Sequence, residues 1–257
     1  MGFVTPTNES VLEFTGLHLY HSGVSNCSMR VRMTLEEKGL AWTSHHLNIL
    51  QKEHITPEYF GINPNGLVPT LVHDGRVIIE SDDIIDYIDD QFPDPPLKPS
   101  GDGDREDMYH WLRRATAIHL QAVKRYVYYK RIGKRMAHSD ADDEKYRSLQ
   151  TNPDLLEFHR KSTNEGFSDE EIDQARTTLR DCFSKMDAIL KTHDWLAGNR
   201  FSLADIAWVP LQFTLERLAD YKFGSFDNVA DWTRRLSVRD SYQNGIIKWW
   251  PPGIGSA

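Results

Sequence analysis

The sequence predicts an α/β unit followed by an all-helical unit. A short apolar run at residues 17–20 precedes a segment with helical spacing at 31–39, and further strand-like runs follow it. One clear linker, residues 92–103, is rich in Pro, Gly and Asp. Beyond the linker the apolar residues recur at i, i+3 and i+4. We therefore expect one domain over residues 17–97 and a helical domain over residues 105–257.

The turn between the first strand and the first helix carries two hydroxyls and a thiol. Ser25, Cys27 and Ser28 lie in the stretch Ser-Asn-Cys-Ser-Met-Arg-Val-Arg, residues 25–32. The positive end of a helix dipole favours a sulfur anion there, and hydroxyls can donate hydrogen bonds to it. Ser and Asn are also ordinary helix caps, so this stretch alone is only suggestive.

Strand and turn signals continue through the first domain in a definite order. A second strand is predicted near residues 42–49, then a turn at 63–66 and a hairpin over 67–79 around Asp74-Gly75. An acidic, polar helix start follows at residues 80–83. This order is typical of a thioredoxin-type unit.

Pro69 lies inside a strand-like run, where proline is expected only at an edge or a bulge. A cis Val68-Pro69 bond would account for it. That bond would also leave the backbone groups of Val68 free to pair with an extended peptide ligand.

Residues 25–32 resemble the Ser-Ser-Cys-x-Trp-Arg-Val-Arg signature of zeta-class glutathione transferases. Residues 63–71 and 80–81 match the glutathione-binding segments of that superfamily in order and spacing, and residues 201–206 resemble the capping box of its helical domain. The resemblance implies a thioredoxin-like domain followed by an α-helical domain. It also implies glutathione as the co-substrate and a two-fold homodimer.

Two positions depart from the zeta signature: Met29 stands in place of Trp, and Asn26 in place of the second Ser. The resemblance assigns the catalytic hydroxyl to Ser25. Ser28 is the alternative, because lignin β-etherases carry a Ser near this position. Cys27 matches a Cys that lies near the bound sulfur in zeta-like enzymes, including reductive dehalogenases, although it also fits a small buried residue on the first turn.

The resemblance also distributes the rest of glutathione along the chain. Val68 and Pro69 would pair with its peptide backbone. Glu80 would accept from the ammonium of the γ-glutamyl end, and Ser81 would donate to its carboxylate. The glycine carboxylate would lie in the loop that carries Lys52 and His54, although a loop lysine is usually just solvated.

In the helical half, a periodic stripe from Met108 to Tyr126 predicts a long helix. We expect Met108, Trp111, Ala115 and Tyr126 to border an apolar aromatic substrate in a cleft between the domains. Residues 133–171 are polar and charged, and we expect loop and broken helix there. Within them, residues 165–171 resemble a segment of bacterial lignin β-etherases, which have an enlarged helical domain.

Two features near the end of the chain have structural interpretations. Ser202 and Asp205 fit a capping box for the helix that follows, in which Pro210 predicts a kink. The pair Trp249-Trp250 is expected to pack against the protein rather than to contact substrate.

Composition excludes several other classes. The net charge of −8, with mixed signs along the chain, argues against a nucleic-acid partner. Two cysteines form no disulfide framework and fit a reducing cytosol. We expect no signal peptide, no membrane span and no metal site, because the chain shows no basic-apolar leader, no run of about 18 apolar residues and no metal-ligand spacing.

The expected function is attack by the glutathione thiolate on an apolar aromatic electrophile, with cleavage of β-aryl ethers as the specific reaction. A zeta-type cis-trans isomerase and a reductive dehalogenase are alternatives within the superfamily. A non-catalytic interaction module with the same fold is an alternative of another class.

Overall fold

The computed structural model describes residues 2–132 and 140–255. Within these ranges the first domain contains a five-stranded mixed sheet in the order β1-β5-β4-β2-β3. Only the β2–β3 pair is parallel; the other neighbours are antiparallel. The strands are β1 (Phe3–Val4), β2 (Leu17–His21), β3 (Thr43–His46), β4 (Thr70–His73) and β5 (Arg76–Ile78).

The first domain also contains the helices α1 (Asn26–Glu37), α2 (Pro57–Phe60) and α3 (Ser81–Gln91). In β2, Leu17 and Leu19 alternate with less buried residues, as expected for a strand with one face in the core. Both leucines belong to one apolar cluster that continues through α1 and α3 into the helical domain. The thioredoxin-like arrangement predicted from the sequence is therefore confirmed.

The second domain is helical. Its longest helices are α4 (Asp102–Ala117), α8 (Asp169–Leu190) and α9 (Leu203–Ala219). After α4 the chain continues through π-helical turns at His119–Lys124 and Tyr128–Ile132, with the short α5 (Arg125–Val127) between them. The remaining helices are α6 (Asp140–Leu149), α7 (Pro153–Arg160), a π-turn at Lys161–Glu165, α10 (Asp227–Ser237) and α11 (Asp240–Gly245).

Helix α9 lies at the centre of this domain. Its N-terminus has the capping box predicted at Ser202 and Asp205, and almost every one of its residues is buried. The indole Nε1 of Trp208 donates to the carbonyl of Trp111 on α4 at 2.9 Å. These contacts make α4 and α9 one packed layer.

The end of the chain returns to the first domain. Arg32 of α1 is fully buried, and its Nε donates to the carbonyl of Gly245 in α11 at 2.7 Å. Trp249 packs edge-on against His21, with ring centroids 4.5 Å apart. The expectation that the tryptophan pair packs against the protein is confirmed, since Trp250 likewise packs on Phe213 of α9.

Two predictions about chain organisation need correction. The sheet starts before residue 17, because β1 pairs with β5 through Phe3 and Val4. The stretch predicted as loop and broken helix contains α6, α7 and the start of α8, although residues 133–139 lie outside the described ranges. Acidic residues in the first turn of α6 and α8 stabilise those helices. Helices α6 and α7 have few buried residues that could reveal them in the sequence. Among the described residues, no helix combines the length and apolarity needed to cross a bilayer.

Candidate functional site

A cavity of about 670 Å³ lies between the two domains. One side is formed by the start of α1, the loops before α2 and β4, and the start of α3. The other is formed by the π-helical segment after α4, by α7 and by the end of the chain. Eight of the residues singled out in the sequence line this cavity: Ser25, Cys27, Lys52, His54, Val68, Pro69, Glu80 and Ser81.

Ser25 caps helix α1. Its Oγ accepts the amide hydrogen of Ser28 at 3.2 Å, and its hydroxyl donates to the carbonyl of Val68 across a long 3.4 Å contact. The Val68-Pro69 bond is cis, as predicted. The hydroxyl therefore lies at the positive end of α1, and its weakly held proton can turn toward an anion in the cavity.

Cys27 is half-buried and contacts a histidine that sequence reasoning did not assign to the site. Its Sγ lies 3.6 Å from Nε2 of His119, and this Nε2 lies 2.7 Å from Oδ1 of Asn26. Burial lowers the pKa of His119 well below its usual range, and the charges of Lys124 and Arg30 act in the same direction. The neutral imidazole therefore provides no positive charge for a Cys27 thiolate.

Ser28, the alternative catalytic hydroxyl, does not reach the cavity. It is fully buried, and its Oγ accepts the amide hydrogen of Ser22 at 3.3 Å. The structure therefore brings Ser25 to the cavity and leaves Ser28 behind the first turn of α1. The sequence could not separate the two, because they lie three residues apart on the same turn.

The start of α3 is shaped for a carboxylate. Arg30 is fully buried; its Nη1 donates to Oγ of Ser81 at 3.1 Å, while its Nη2 has no hydrogen-bond partner. Because Ser81 accepts from Arg30, its own proton is available to a ligand. No side chain of the described residues caps α3, so its first amide groups are also available. A guanidinium, a hydroxyl and a helix N-terminus are suitable donors for a carboxylate.

Glu80 lies beside this carboxylate site in an unusual backbone conformation, with φ of +65°. Such strain in a non-glycine residue is typical of functional sites. Its Oε1 lies 3.5 Å from Nδ2, the side-chain amide nitrogen of Asn65. Desolvation raises the pKa of Glu80, and the nearby Asp82 and Asp83 add to the effect. A cationic ligand would relieve this repulsion, so Glu80 and Ser81 together fit an amino-acid zwitterion such as the γ-glutamyl end.

In the loop proposed for the glycine carboxylate, the charged group already has a partner within the protein. Lys52 Nζ pairs with Oδ2 of Asp142 in α6 at 2.8 Å. His54 has a buried Nδ1 without a partner, and burial followed by the charge of Lys124 lowers its pKa to about 4. His54 can therefore offer a hydrogen bond but no charge near neutral pH.

The four residues predicted to border the substrate do not line the cavity, so this prediction is corrected. Met108, Trp111 and Ala115 are buried in the α4–α9 layer, and Tyr126 packs edge-on against Tyr221 with centroids 5.7 Å apart. Apolar periodicity identifies the core-facing side of a helix, and here that side faces away from the cavity.

The π-helical segment provides the cavity wall instead. Here the amide of Val123 bonds the carbonyl of Ile118 five residues earlier, at 3.2 Å, and such π-turns are frequent at functional sites. Sequence reasoning missed this wall, although a histidine and a lysine next to apolar residues were its visible signal. Its cavity-facing residues are His119, Leu120, Val123, Lys124, Val127 and Tyr128. On the same side of the cavity, α7 and the chain end contribute Leu155, Phe158 and Ile254.

Comparison with protein families identifies both domains of the chain. Residues 19–96 match the model of the glutathione S-transferase N-terminal domain, and residues 151–240 match that of the C-terminal domain. Together the two models cover more than half of the chain. The N-terminal part is also 42% identical over 84 residues to a zeta-class glutathione S-transferase of Euphorbia esula, a match that covers 33% of this chain and 37% of that one.

Two relatives match over nearly the whole length. The glutathione S-transferase TCHQD of Arabidopsis thaliana is 26% identical, covering 91% of this chain and 90% of its own. LigF of Sphingobium sp. SYK-6 is 26% identical, covering 90% of this chain and 93% of its own.

The crystal structure of the β-etherase LigF superposes with a TM-score of 0.82 and 25% identity, covering 91% of this chain and all of that one. The domain matches, the cavity and the two-part fold lead to one conclusion. The chain belongs to the glutathione S-transferase family, whose members use glutathione as co-substrate, and it combines a zeta-like start with a helical domain that resembles the one in LigF.

Proposed function

We propose that this protein uses glutathione to cleave β-aryl ethers. The observation that carries the proposal is the composition of the cavity between the domains. One cavity is lined both by the polar residues Ser25, Glu80 and Ser81, its polar end, and by apolar residues that include Val127 and Phe158, its apolar end. A volume of about 670 Å³ is in the range of sites that hold small organic ligands.

In this proposal the chain performs three tasks. Glu80 and Ser81 hold the γ-glutamyl end, with Arg30 supporting Ser81 from within the core. The Ser25 hydroxyl and the N-terminus of α1 stabilise the sulfur anion. Glutathione supplies that nucleophile, which forms a thioether with the ether carbon and displaces an aryloxide.

Stabilisation of the anion is a modest energetic requirement. A free thiol has a pKa near 8.5, so only a few per cent is ionised at neutral pH. Lowering that pKa by about two units corresponds to roughly 2.7 kcal/mol. One positioned hydroxyl together with a helix N-terminus is on this scale.

The test is a product analysis with purified protein, glutathione and a panel of β-aryl ethers, maleylacetoacetate and chlorinated hydroquinones. The proposal predicts equal amounts of glutathione thioether and free phenol from the ethers. Glutathione-dependent turnover of the other substrates, with none of the ethers, would reject ether cleavage and retain the family. Absence of glutathione binding would instead support a non-catalytic module.

Reductive dehalogenation is a second candidate, because half-buried Cys27 lines the same cavity. In that reaction a second thiol must release a mixed disulfide with glutathione. Cys27→Ala should then abolish turnover of chlorinated hydroquinones. In ether cleavage, where glutathione is the only sulfur required, the same variant should change turnover less than about threefold.

A further inference from the structure

Lys124 is the feature of the cavity that glutathione binding leaves unexplained. It belongs to the π-helical wall, between the apolar cavity residues Val123 and Val127. Among the described residues its Nζ has no hydrogen-bond or ion-pair partner, and it lies over the ring of Phe158, 5.8 Å from the ring centroid. An ammonium group so placed is available to a ligand in the apolar end of the cavity.

An ammonium without an acceptor is costly in such surroundings, because desolvation penalises its charge. Burial lowers the pKa of Lys124, while Cys27 and Glu80 act against that shift. These two residues lie on the other side of the cavity, Cys27 on α1 and Glu80 at the start of α3. Lys124 therefore faces the region where sulfur and substrate would meet.

The carboxylates of glutathione have other partners available. The γ-glutamyl carboxylate fits Arg30 and Ser81, and the glycine carboxylate fits the loop with Lys52 and His54. An aryl ether packed on Phe158 would lie next to Lys124, whose Nζ is 5.8 Å from the centroid of that ring. The negative charge that develops on the ether oxygen is the charge that has no partner in the proposed function.

We propose that Lys124 donates a proton to the departing aryl oxygen. This inference rests on ether cleavage as the proposed function. The thiolate forms the carbon–sulfur bond, the carbon–oxygen bond breaks, and the oxygen takes the proton from the Lys124 ammonium to leave as a neutral phenol. The neutral amine then regains a proton from water, so charge and atoms balance. A lysine with a lowered pKa is a better acid for this step than an unperturbed one.

The experiment compares leaving groups on one carbon skeleton. A series of β-aryl ethers that release phenols of increasing acidity is measured with wild type and Lys124→Met, together with the matching alkyl chloride, whose leaving group needs no proton. The account expects Lys124→Met to lower kcat/KM by about 10²-fold or more for the unsubstituted phenol. The loss should shrink as the phenol becomes more acidic, and it should vanish for nitrophenol and chloride.

Two further variants complete the design. Lys124→Arg keeps the charge but cannot give up a proton, so it should behave like Lys124→Met toward poor leaving groups. Lys130→Met makes the same change at an exposed position of the same segment and should retain wild-type rates. Circular dichroism and glutathione titration of each variant verify folding and the polar end of the site.

The outcomes separate this inference from the proposed function. Equal losses for all leaving groups, chloride included, would show that Lys124 acts on the thiolate and would overturn proton donation. Full activity of Lys124→Arg would overturn it as well, since charge alone would then suffice. A wild-type protein that cleaves no ether would overturn ether cleavage and this inference together.

Discussion

At the scale of single residues, Arg30 connects the proposed glutathione site to the helical domain. Its Nε donates to the carbonyl of Ala207 in α9 at 3.0 Å, and its Nη1 donates to Ser81 at the start of α3. The remaining Nη2 is buried without a partner. A buried charge is stable only when it is matched, so a ligand carboxylate at Ser81 would complete the site.

The double variant Glu80→Gln with Ser81→Ala tests this carboxylate and ammonium site. Two charge-assisted hydrogen bonds would be lost, and the free energy of glutathione binding should weaken by about 2–4 kcal/mol. Isothermal titration calorimetry measures it directly. The control is Asp90→Asn near the far end of α3, where Asp90 pairs with Lys98 and binding should not change. Unchanged affinity in the double variant would remove both residues from the site.

The sequence predicted most of the residues that line the polar end of the cavity, because those residues are adjacent along the chain to strand and helix ends. Ser25, Val68 and Glu80 each lie at such an end, and the fold brings these ends together. The aromatic end could not be predicted in the same way. Phe158 comes from a helix in a polar stretch, and Lys124 faces the cavity only because a π-turn changes the helical register.

At the scale of elements, two capping boxes show how the same device depends on its surroundings. At α8, Ser168 and Glu171 cap each other on the surface. At α9, the Asp205 carboxylate is fully buried and accepts from the amides of Leu196 and Ser202 and from the indole of Trp232. The buried box therefore also joins α9 to the preceding loop and to α10.

Asp205→Ala should lower the free energy of unfolding by about 2–4 kcal/mol, because it leaves several buried hydrogen-bond donors without an acceptor. Ser168→Ala disrupts the exposed box by removing its N-cap hydroxyl and should cost only about 1 kcal/mol. Urea denaturation of both variants measures the difference. Equal losses at the two positions would contradict the role of burial described here.

The spacing of apolar residues correctly predicted a helix from Met108 onward. It wrongly predicted that the apolar face of this helix borders the cavity. The stripe through Met108, Trp111 and Ala115 is the core-facing stripe, which packs against α9. The cavity-facing residues start with Thr116 in the last turn of α4 and continue from His119 through the π-helical segment. Nothing local in the sequence distinguishes a π-turn from a continuing α-helix, so that change of face required the structure.

At the scale of the whole molecule, we expect three histidines with lowered pKa values to determine the response to acid. Arg32 donates to Nδ1 of His21 at 3.1 Å, which requires a neutral imidazole. Burial and then the Arg32 charge lower the pKa of His21 to about 2. His54 and His119 are shifted in the same direction, each chiefly by burial. All three stay neutral in the folded protein at pH values where the unfolded chain binds protons.

The direction in which stability changes with pH follows from these lowered pKa values. The stability from neutral histidines is fully present above pH 6.5 and is lost as the pH falls toward the folded-state values. Asp205 partly offsets the loss, because burial raises its pKa to about 6. We expect the free energy of unfolding to fall by about 4 kcal/mol between pH 7 and pH 5.

Urea unfolding at pH 7, 6 and 5 measures this slope. His54→Gln removes one titrating group and should reduce the fall by about 2 kcal/mol. The matched control is His193→Gln at an exposed position, which should leave the slope as it is. A flat stability profile of wild type over this range would show that the three histidines are protonated in the folded state.

The assembly is a further property at this scale, and we expect a two-fold dimer, as the family resemblance implies. Sedimentation velocity at micromolar concentration should give a species of twice the 29.7 kDa chain mass. A monomer under those conditions would contradict this expectation while leaving the cavity as described.

The central claim is that the Ser25 hydroxyl at the start of α1 stabilises the glutathione thiolate. Its most direct test is the pH-rate profile of ether cleavage by wild type, Ser25→Ala and Ser28→Ala. The account predicts that Ser25→Ala raises the pKa of the bound thiol and lowers turnover roughly 10²-fold, with little change in glutathione affinity. Ser28→Ala should keep the wild-type profile, because its hydroxyl is buried behind the helix turn. A Ser25→Ala enzyme with an unchanged rate and profile would contradict the claim, and a shift caused by Ser28→Ala would transfer the role to Ser28.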